Sequence, residues 1–181
     1  EAHMSQTDNL SHKYIAHKHI MGKGQFSLKV FDPQQDAGIL HEWVSQPYAK
    51  YWGMLGNSEQ QVRDDYEEMR ASGHTQIFLG YHNDEPAFLL EVYHPKNEAI
   101  AQHIKVKGGD LGMHILMAPP IKPITQFSYC VFITIMEFIF DNLKARRILV
   151  EPDHENSKIH RLNKQLGFIH SKKIQLPNKQ A

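Results

Sequence analysis

The chain of 181 residues is 41% hydrophobic, 22% charged and 10% aromatic, which suits one folded domain with its own core and excludes a disordered chain. Twenty Lys and Arg balance twenty Asp and Glu, so bulk charge argues against nucleic acid or a membrane surface as partner. The single cysteine, Cys130, excludes an intramolecular disulfide and fits a cytoplasmic location, and no apolar run is long enough to span a bilayer.

Glu1-Ala2-His3-Met4 lacks signal-peptide character and reads as an expression remnant before a natural Met4. Residues 5–24 are polar, with His12, His17 and His19 among them, and predict a flexible N-terminal arm, with room for a short strand at its end. The domain is expected over residues 25–181. The alternation of FSLKVF at 26–31 predicts a half-buried strand, broken by Asp32-Pro33. Asp36 is the candidate cap of a helix through Leu40, Trp43 and Val44, ended by Pro47. Ser58 is placed to cap a second helix through Val62, Tyr66 and Met69, closed at Ser72-Gly73. Residues 76–81 and 87–93 predict strands joined at Asn83-Asp84 in a hairpin.

Gly108-Gly109-Asp110 leads into the apolar run 111–118, a buried strand, and Pro119, Pro120 and Pro123 then impose a loop. Residues 127–143 make the most apolar helix of the chain, and 147–150 a short strand. Asn156 to Leu166 reads as a helix stopped by Gly167, and 168–176 as a last strand. The order predicts a single α/β domain of the α+β mixed-sheet kind. One parallel crossover is expected near residues 111–150, with antiparallel pairing elsewhere.

Residue types that carry chemistry gather in the second half. The strand, proline loop and helix over 109–127 offer unpaired N–H groups for a phosphate, with Lys122 adding charge. The loop carries no glycine, and an ordinary strand–loop–helix connection accounts for the same residues. His114 lies mid-strand among apolar residues, where a histidine is either a satisfied core group or, at a strand end feeding a helix, part of a ligand site. Glu151-Pro152-Asp153 follows the next strand. Its carboxylates suit the holding and deprotonation of an amine-like nucleophile, or the capping of the next helix. Trp43, Tyr51 and Trp52 either line a pocket for an aliphatic chain or cation or pack the core. His154 and His160 lack a metal-ligand arrangement, so no metal is expected. Cys130, inside the apolar helix, reads as inert.

Taken together, the element order resembles the GCN5-related N-acetyltransferase fold, and Asn156…Leu162…Gly167-Phe168 resembles the second coenzyme A helix of that superfamily. Four segments are similar to the siderophore-biosynthesis N-acyltransferases of the aerobactin, alcaligin and rhizobactin type. They are LHEWVSQPYAKYWGM (40–54), FLLEVYHP (88–95), GGDLGMHILMAPP (108–120) and EPDHENSKIHRLNKQLGF (151–168), in the family's order. The resemblance implies an acyl-coenzyme A co-substrate, succinyl-CoA or acetyl-CoA, and a small N-hydroxylated amine whose hydroxylamine nitrogen is acylated for a hydroxamate siderophore. It implies coenzyme A contacts at Ile115, Leu116 and Met117 for the pantetheine arm, and at Lys122, Gln126 and Phe127 for the pyrophosphate. Asn156 and Asn163 would add further coenzyme A contacts.

His114 and Asp153 match the family's active-site histidine and aspartate, which would orient the hydroxylamine and take its proton. A backbone N–H of the strand would stabilise the thioester oxyanion. Trp43, Trp52, Glu91 and Tyr93 would border the acceptor pocket, with Glu91 toward the far ammonium of a diamine.

The chain departs from the family at three places. Gln126 stands where relatives usually carry glycine. Asn163 replaces the tyrosine that protonates the leaving thiolate in many superfamily members. The chain stops soon after QLPNK, where relatives continue into a last strand, which leaves a sheet edge open to a homodimer. Succinyl transfer to N-hydroxycadaverine or N-hydroxyputrescine is the leading expectation and acetyl transfer the next. An aminoglycoside N-acetyltransferase and a non-catalytic coenzyme A-binding domain are the alternatives. The acidic residues an aminoglycoside cleft would want, Asp64-Asp65 and Glu67-Glu68, read as a solvated helix face.

Overall fold

The computed structural model describes residues 13–119 and 126–181. The first hairpin joins β1 (Ala16–Ile20) to β2 (Gly24–Val30) in antiparallel register from Ala16↔Leu28 to Ile20↔Gly24. β1 therefore occupies the end of the stretch expected to form an arm. Its alternating half-buried and exposed residues let a polar sequence pair at a sheet edge.

Asp32, not Asp36, caps α1 (Pro33–Val44). The Asp32 carboxylate accepts from the Gln34 N–H at 3.0 Å, and Pro33 takes the first helical position, where no N–H is needed. Asp36 is instead buried one turn along and pairs with Lys29 Nζ at 2.7 Å. Pro47 does not end α1 but opens a short 3-10 stretch, Pro47–Trp52. α2 (Glu59–Ser72) has the expected cap and more. Ser58 Oγ accepts from the Gln61 N–H while the Gln61 side chain accepts from the Ser58 N–H.

β3 (Thr75–His82) and β4 (Glu85–Tyr93) meet at Asn83 and Asp84, whose φ values of 46° and 66° are those a tight two-residue hairpin demands. β5 (Asp110–Met117) follows, then α3 (Phe127–Glu137), whose end widens into a π turn over Phe138–Asn142. β6 (Arg147–Leu149) and α4 (Ser157–Gln165), capped by Asn156, complete the elements.

The sheet runs β1-β2-β3-β4-β5-β6, antiparallel throughout except for the parallel β5–β6 pair. Each face carries a core. On one face α3 packs Val131 and Ile135, and the π turn Ile139, onto Phe26, Phe88 and Met113, and α4 adds Ile159 and Leu162. On the other, α1 and α2 bring Leu40, Trp43, Val62 and Tyr66 onto Leu79, Leu89 and Leu116. Burying each of the fully covered side chains is worth about 1.5–3 kcal/mol, so both helical layers are held firmly to the sheet.

Residues 168–176 do not form the expected last strand. Residues 170–173 are exposed and polar, and Pro177 removes a ladder donor, so nothing anchors the segment along β6. The chain folds back on itself instead. Ile174 and Ala181 exchange backbone hydrogen bonds of 2.7 and 2.9 Å, Leu176 is buried, and the His154 N–H donates to the Gln180 carbonyl at 2.7 Å. No helix among the described residues is long and apolar enough to cross a membrane.

Candidate active site

β6 pairs only with the start of β5, from Asp110↔Arg147 to Gly112↔Leu149. β5 then runs on to Met117 with no strand on that side among the described residues. The Ala118 N–H donates to the Ala87 carbonyl of the neighbouring strand, β4, at 2.8 Å. The strand's alternation therefore turns the N–H groups of Ile115 and Met117, beyond the last β6 pair, toward the opening. A cavity of about 550 Å³ fills this opening and continues under the Tyr48–Met54 region and α2.

A histidine held between two carboxylates forms its wall. Glu91 and His114 face each other across β4 and β5, with His114 Nδ1 3.0 Å from Glu91 Oε1. His114 Nε2 meets Glu151 Oε1 from the loop after β6. Tyr66 Oη donates to Glu91 Oε2 at 2.6 Å, and Trp52 Nε1 donates to Tyr66 Oη at 3.1 Å. Tyr93 Oη donates to Glu151 Oε1 at 3.1 Å, and Lys179 Nζ lies 3.1 Å from Glu151 Oε2. The Tyr93 ring lies 4.7 Å from the His114 ring over Gly112, where a Cβ would stand 2.1 Å from the tyrosine. Glycine at 112 is thus what lets Tyr93 reach the site.

Burial alone would push the His114 imidazole down. The hydrogen bonds and charges of Glu151 and Glu91 outweigh it and raise the group to about 9. Burial likewise acts to raise Glu151, but His114 and Lys179 hold it down at about 2. Burial, reinforced by the adjacent carboxylates, keeps the Tyr66 and Tyr93 phenols far above their usual range, so both stay donors. At neutral pH the centre is an imidazolium between two carboxylates.

The cavity brings together many of the residues singled out in the sequence: Trp52, Glu91, His114, Ile115, Leu116, Asp153, Asn156 and Asn163 all line it. Asp153 Oδ1 accepts from the Glu155 N–H at 2.9 Å. Asn163 is 8% exposed, and its Oδ1 has no hydrogen-bond partner among the described residues. Tyr93 stands behind His114, not on the cavity surface. Trp43 is packed in the α1 core at 6% exposure and does not reach the cavity. The Met117 carbonyl accepts from Tyr48 Oη at 2.6 Å. Phe127 packs against Phe26 and His82, away from the opening. Gln126 takes φ 59° at the start of α3, a left-handed conformation that suits glycine. Lys122 lies outside the described residues.

Tyr66, Lys179 and Asp65 also line the cavity, and the sequence does not single them out as site residues. Tyr66 carries the same spacing as a core position of α2, and no local pattern marks Lys179. Of the acidic residues on α2 only Asp65 lines the cavity. Asp64 accepts from Gln60, and Glu67 pairs with Arg70.

The acetyltransferase (GNAT) domain pattern matches residues 32–176. The chain belongs to the GNAT acetyltransferase family. This acyltransferase is 24% identical over 148 residues to an Acinetobacter baumannii N-hydroxyputrescine acetyltransferase, covering 81% of this chain and 70% of that protein. It is 23% identical over 157 residues to an Escherichia coli N(6)-hydroxylysine O-acetyltransferase, covering 86% of this chain and 50% of that one. A Bacillus halodurans structure without an assigned activity superposes with a TM-score of 0.82 at 23% identity, covering 92% and 88% of the two chains. An aminoglycoside acetyltransferase AAC(6')-Ib in complex with coenzyme A superposes at 0.75 and 17% identity, covering 86% and 90%. The mixed sheet and flanking helices are those of the family. Among the described residues no group of His, Cys, Asp and Glu is arranged to hold a metal ion.

Proposed function

We propose that this acyltransferase moves the acyl group of an acyl-coenzyme A to the hydroxylamine nitrogen of an N-hydroxylated amine, for a hydroxamate siderophore. The observation that carries the reading is the cavity at the β5–β6 opening, with His114 clasped by Glu91 and Glu151 beneath it. The names of the two curated relatives support the acceptor class. The open edge of β5 fits a pantetheine arm, which carries amide donors and acceptors of its own. Asn163 Oδ1, without a hydrogen-bond partner among the described residues, offers an acceptor in the same cavity.

Acyl-coenzyme A supplies the acyl group as a thioester. The free N–H groups of β5 stabilise the oxyanion that forms as the hydroxylamine nitrogen attacks the thioester carbon. The C–N bond forms and the C–S bond breaks. An imidazolium cannot act as base, so His114 orients the acceptor and Asp153 takes the nitrogen's proton, while the thiolate is protonated from solvent. The hydroxylamine is largely neutral near pH 7, so positioning contributes more than deprotonation. Asp65, Glu91, Glu151 and Asp153 outnumber the cations His114 and Lys179 around the cavity. That excess of negative charge favours a cationic acceptor and the uncharged acetyl group over succinyl.

The test is release of coenzyme A from acetyl-CoA and succinyl-CoA, each paired with N-hydroxycadaverine, N-hydroxyputrescine, N6-hydroxylysine and the unhydroxylated amines. Turnover confined to the hydroxylated acceptors is expected, fastest with acetyl-CoA. Turnover with kanamycin but with no hydroxylamine would overturn the reading.

A further inference from the structure

The sequence suggests Glu91 for the far ammonium of the acceptor, but the structure leaves Glu91 no free oxygen. One oxygen meets His114 at 3.0 Å, the other receives Tyr66 Oη at 2.6 Å, and the residue is 7% exposed. Glu151 is equally engaged, by His114, Tyr93 and Lys179. A ligand ammonium would have to break this network to pair with either.

Asp65 differs from both. It lines the same cavity from α2, is exposed, and has no hydrogen-bond or salt-bridge partner among the described residues. Trp52, Met54 and Met69 line the cavity with it. Trp52 is fixed by its N–H bond to Tyr66, and its ring centroid lies 6.3 Å from that of His114. The thioethers and the indole suit a chain of methylenes, and the indole face also attracts a cation. Lys50 Nζ already sits over the neighbouring Tyr51 ring at 4.9 Å, whereas no described lysine or arginine sits over the Trp52 ring.

We infer that Asp65, with Trp52, is the subsite for the acceptor's distal ammonium and selects N-hydroxylated diamines over N-hydroxylated amino acids. The inference rests on the hydroxylamine reading above. A diamine ends in a lone cation, which the free carboxylate attracts. An amino acid brings a carboxylate to the same place, which Asp65 repels.

Three acceptors of one chain length test this: N-hydroxycadaverine, N6-hydroxylysine, which adds a carboxylate, and N-pentylhydroxylamine, which lacks the ammonium. Asp65→Asn is the variant, an isosteric change on an exposed helix face. The expected result is a rise of about threefold to tenfold in KM for N-hydroxycadaverine, the range of a rim charge pair aided by an aromatic face. KM for N-pentylhydroxylamine should change less than twofold, and N6-hydroxylysine should be used better than before. An equal change on all three acceptors, or none on N-hydroxycadaverine, overturns the subsite. If the unaltered enzyme turns over no hydroxylamine at all, the functional reading itself has failed.

Discussion

The two halves of β5 carry similar charges in opposite arrangements. At its start, Asp110 is closed into a fixed clamp. Its carboxylate, 1% exposed, accepts from Arg147 Nε at 2.8 Å and from the Lys107 N–H at 2.7 Å. Four residues on, His114 lies between two carboxylates at the edge of a cavity and is 34% exposed. The first arrangement joins β5 to β6, and the second stands where the two strands part. A guanidinium keeps its proton at any working pH and so locks structure, whereas the His114 imidazolium, raised to about 9, can still titrate and so answers to pH.

The largest effect should follow from the open end. His114→Ala or Asp153→Asn is expected to lower turnover by about 100-fold or more while acyl-coenzyme A still binds, the usual range for a lost proton-handling or orienting group. Steady-state rates with calorimetric binding of coenzyme A check this. Near-normal turnover in both variants would remove their roles.

The closed end should fail differently. Asp110→Ala leaves Arg147 without its partner, and its loss should cost about 2–3 kcal/mol, below a fully buried pair because the arginine is 40% exposed. Urea unfolding measures it. In protein that remains folded, kcat should stay within about threefold of the starting enzyme, since no reacting group is touched. A collapse of kcat without loss of stability would mean that the two ends of the strand are not separate.

Titration distinguishes the ends next. Because folding raises His114 to about 9, its contribution to stability is complete below its ordinary value of 6.5 and is lost as pH rises through about 9. Glu151, lowered to about 2, contributes above its ordinary value of 4.5 and loses that as pH falls through about 2. The network is therefore at full strength between the two ordinary values, and weakens below 4.5 through Glu151 and above 6.5 through His114. Turnover should hold to about pH 8 and then fall with an apparent pKa near 9. A pH–rate profile checks this, and a break near the ordinary histidine value would contradict the clasp. Melting temperature should fall as pH rises from about 6.5 to about 9, less steeply in His114→Gln.

Much of this architecture is legible from local chemistry. Ser58 with Gln61, and Asn83-Asp84, declare a cap and a turn within a few residues, and both form as expected. Asp32 and Asp36 are both acidic, and only the proline after Asp32 decides which one caps. The missing last strand shows the limit. The apolar residues of 168–176 suggest pairing, but polar residues 170–173 and Pro177 turn the chain back instead. In the site, His114 and Glu91 are conspicuous as polar groups inside apolar strands. Tyr66, Asp65 and Lys179 are not, because their places depend on α2 and the C-terminal hairpin meeting one cavity.

The smallest effect isolates geometry from charge at the closed end. Arg147→Lys keeps the positive charge beside Asp110 but cannot reproduce the two-pronged contact from Nε and a terminal nitrogen. The loss should be about 0.5–1 kcal/mol, as for a partly exposed pair whose geometry is degraded and not removed. Unfolding in urea would show it as a shifted midpoint with an unchanged slope. The alkaline limb of the rate profile should stay where it is, because Arg147 does not touch His114, Glu91 or Glu151. If that limb moves with Arg147→Lys, the clamp sets the proton affinity of the histidine across the length of β5. The contrast between a structural end and a chemical end would then have to be given up.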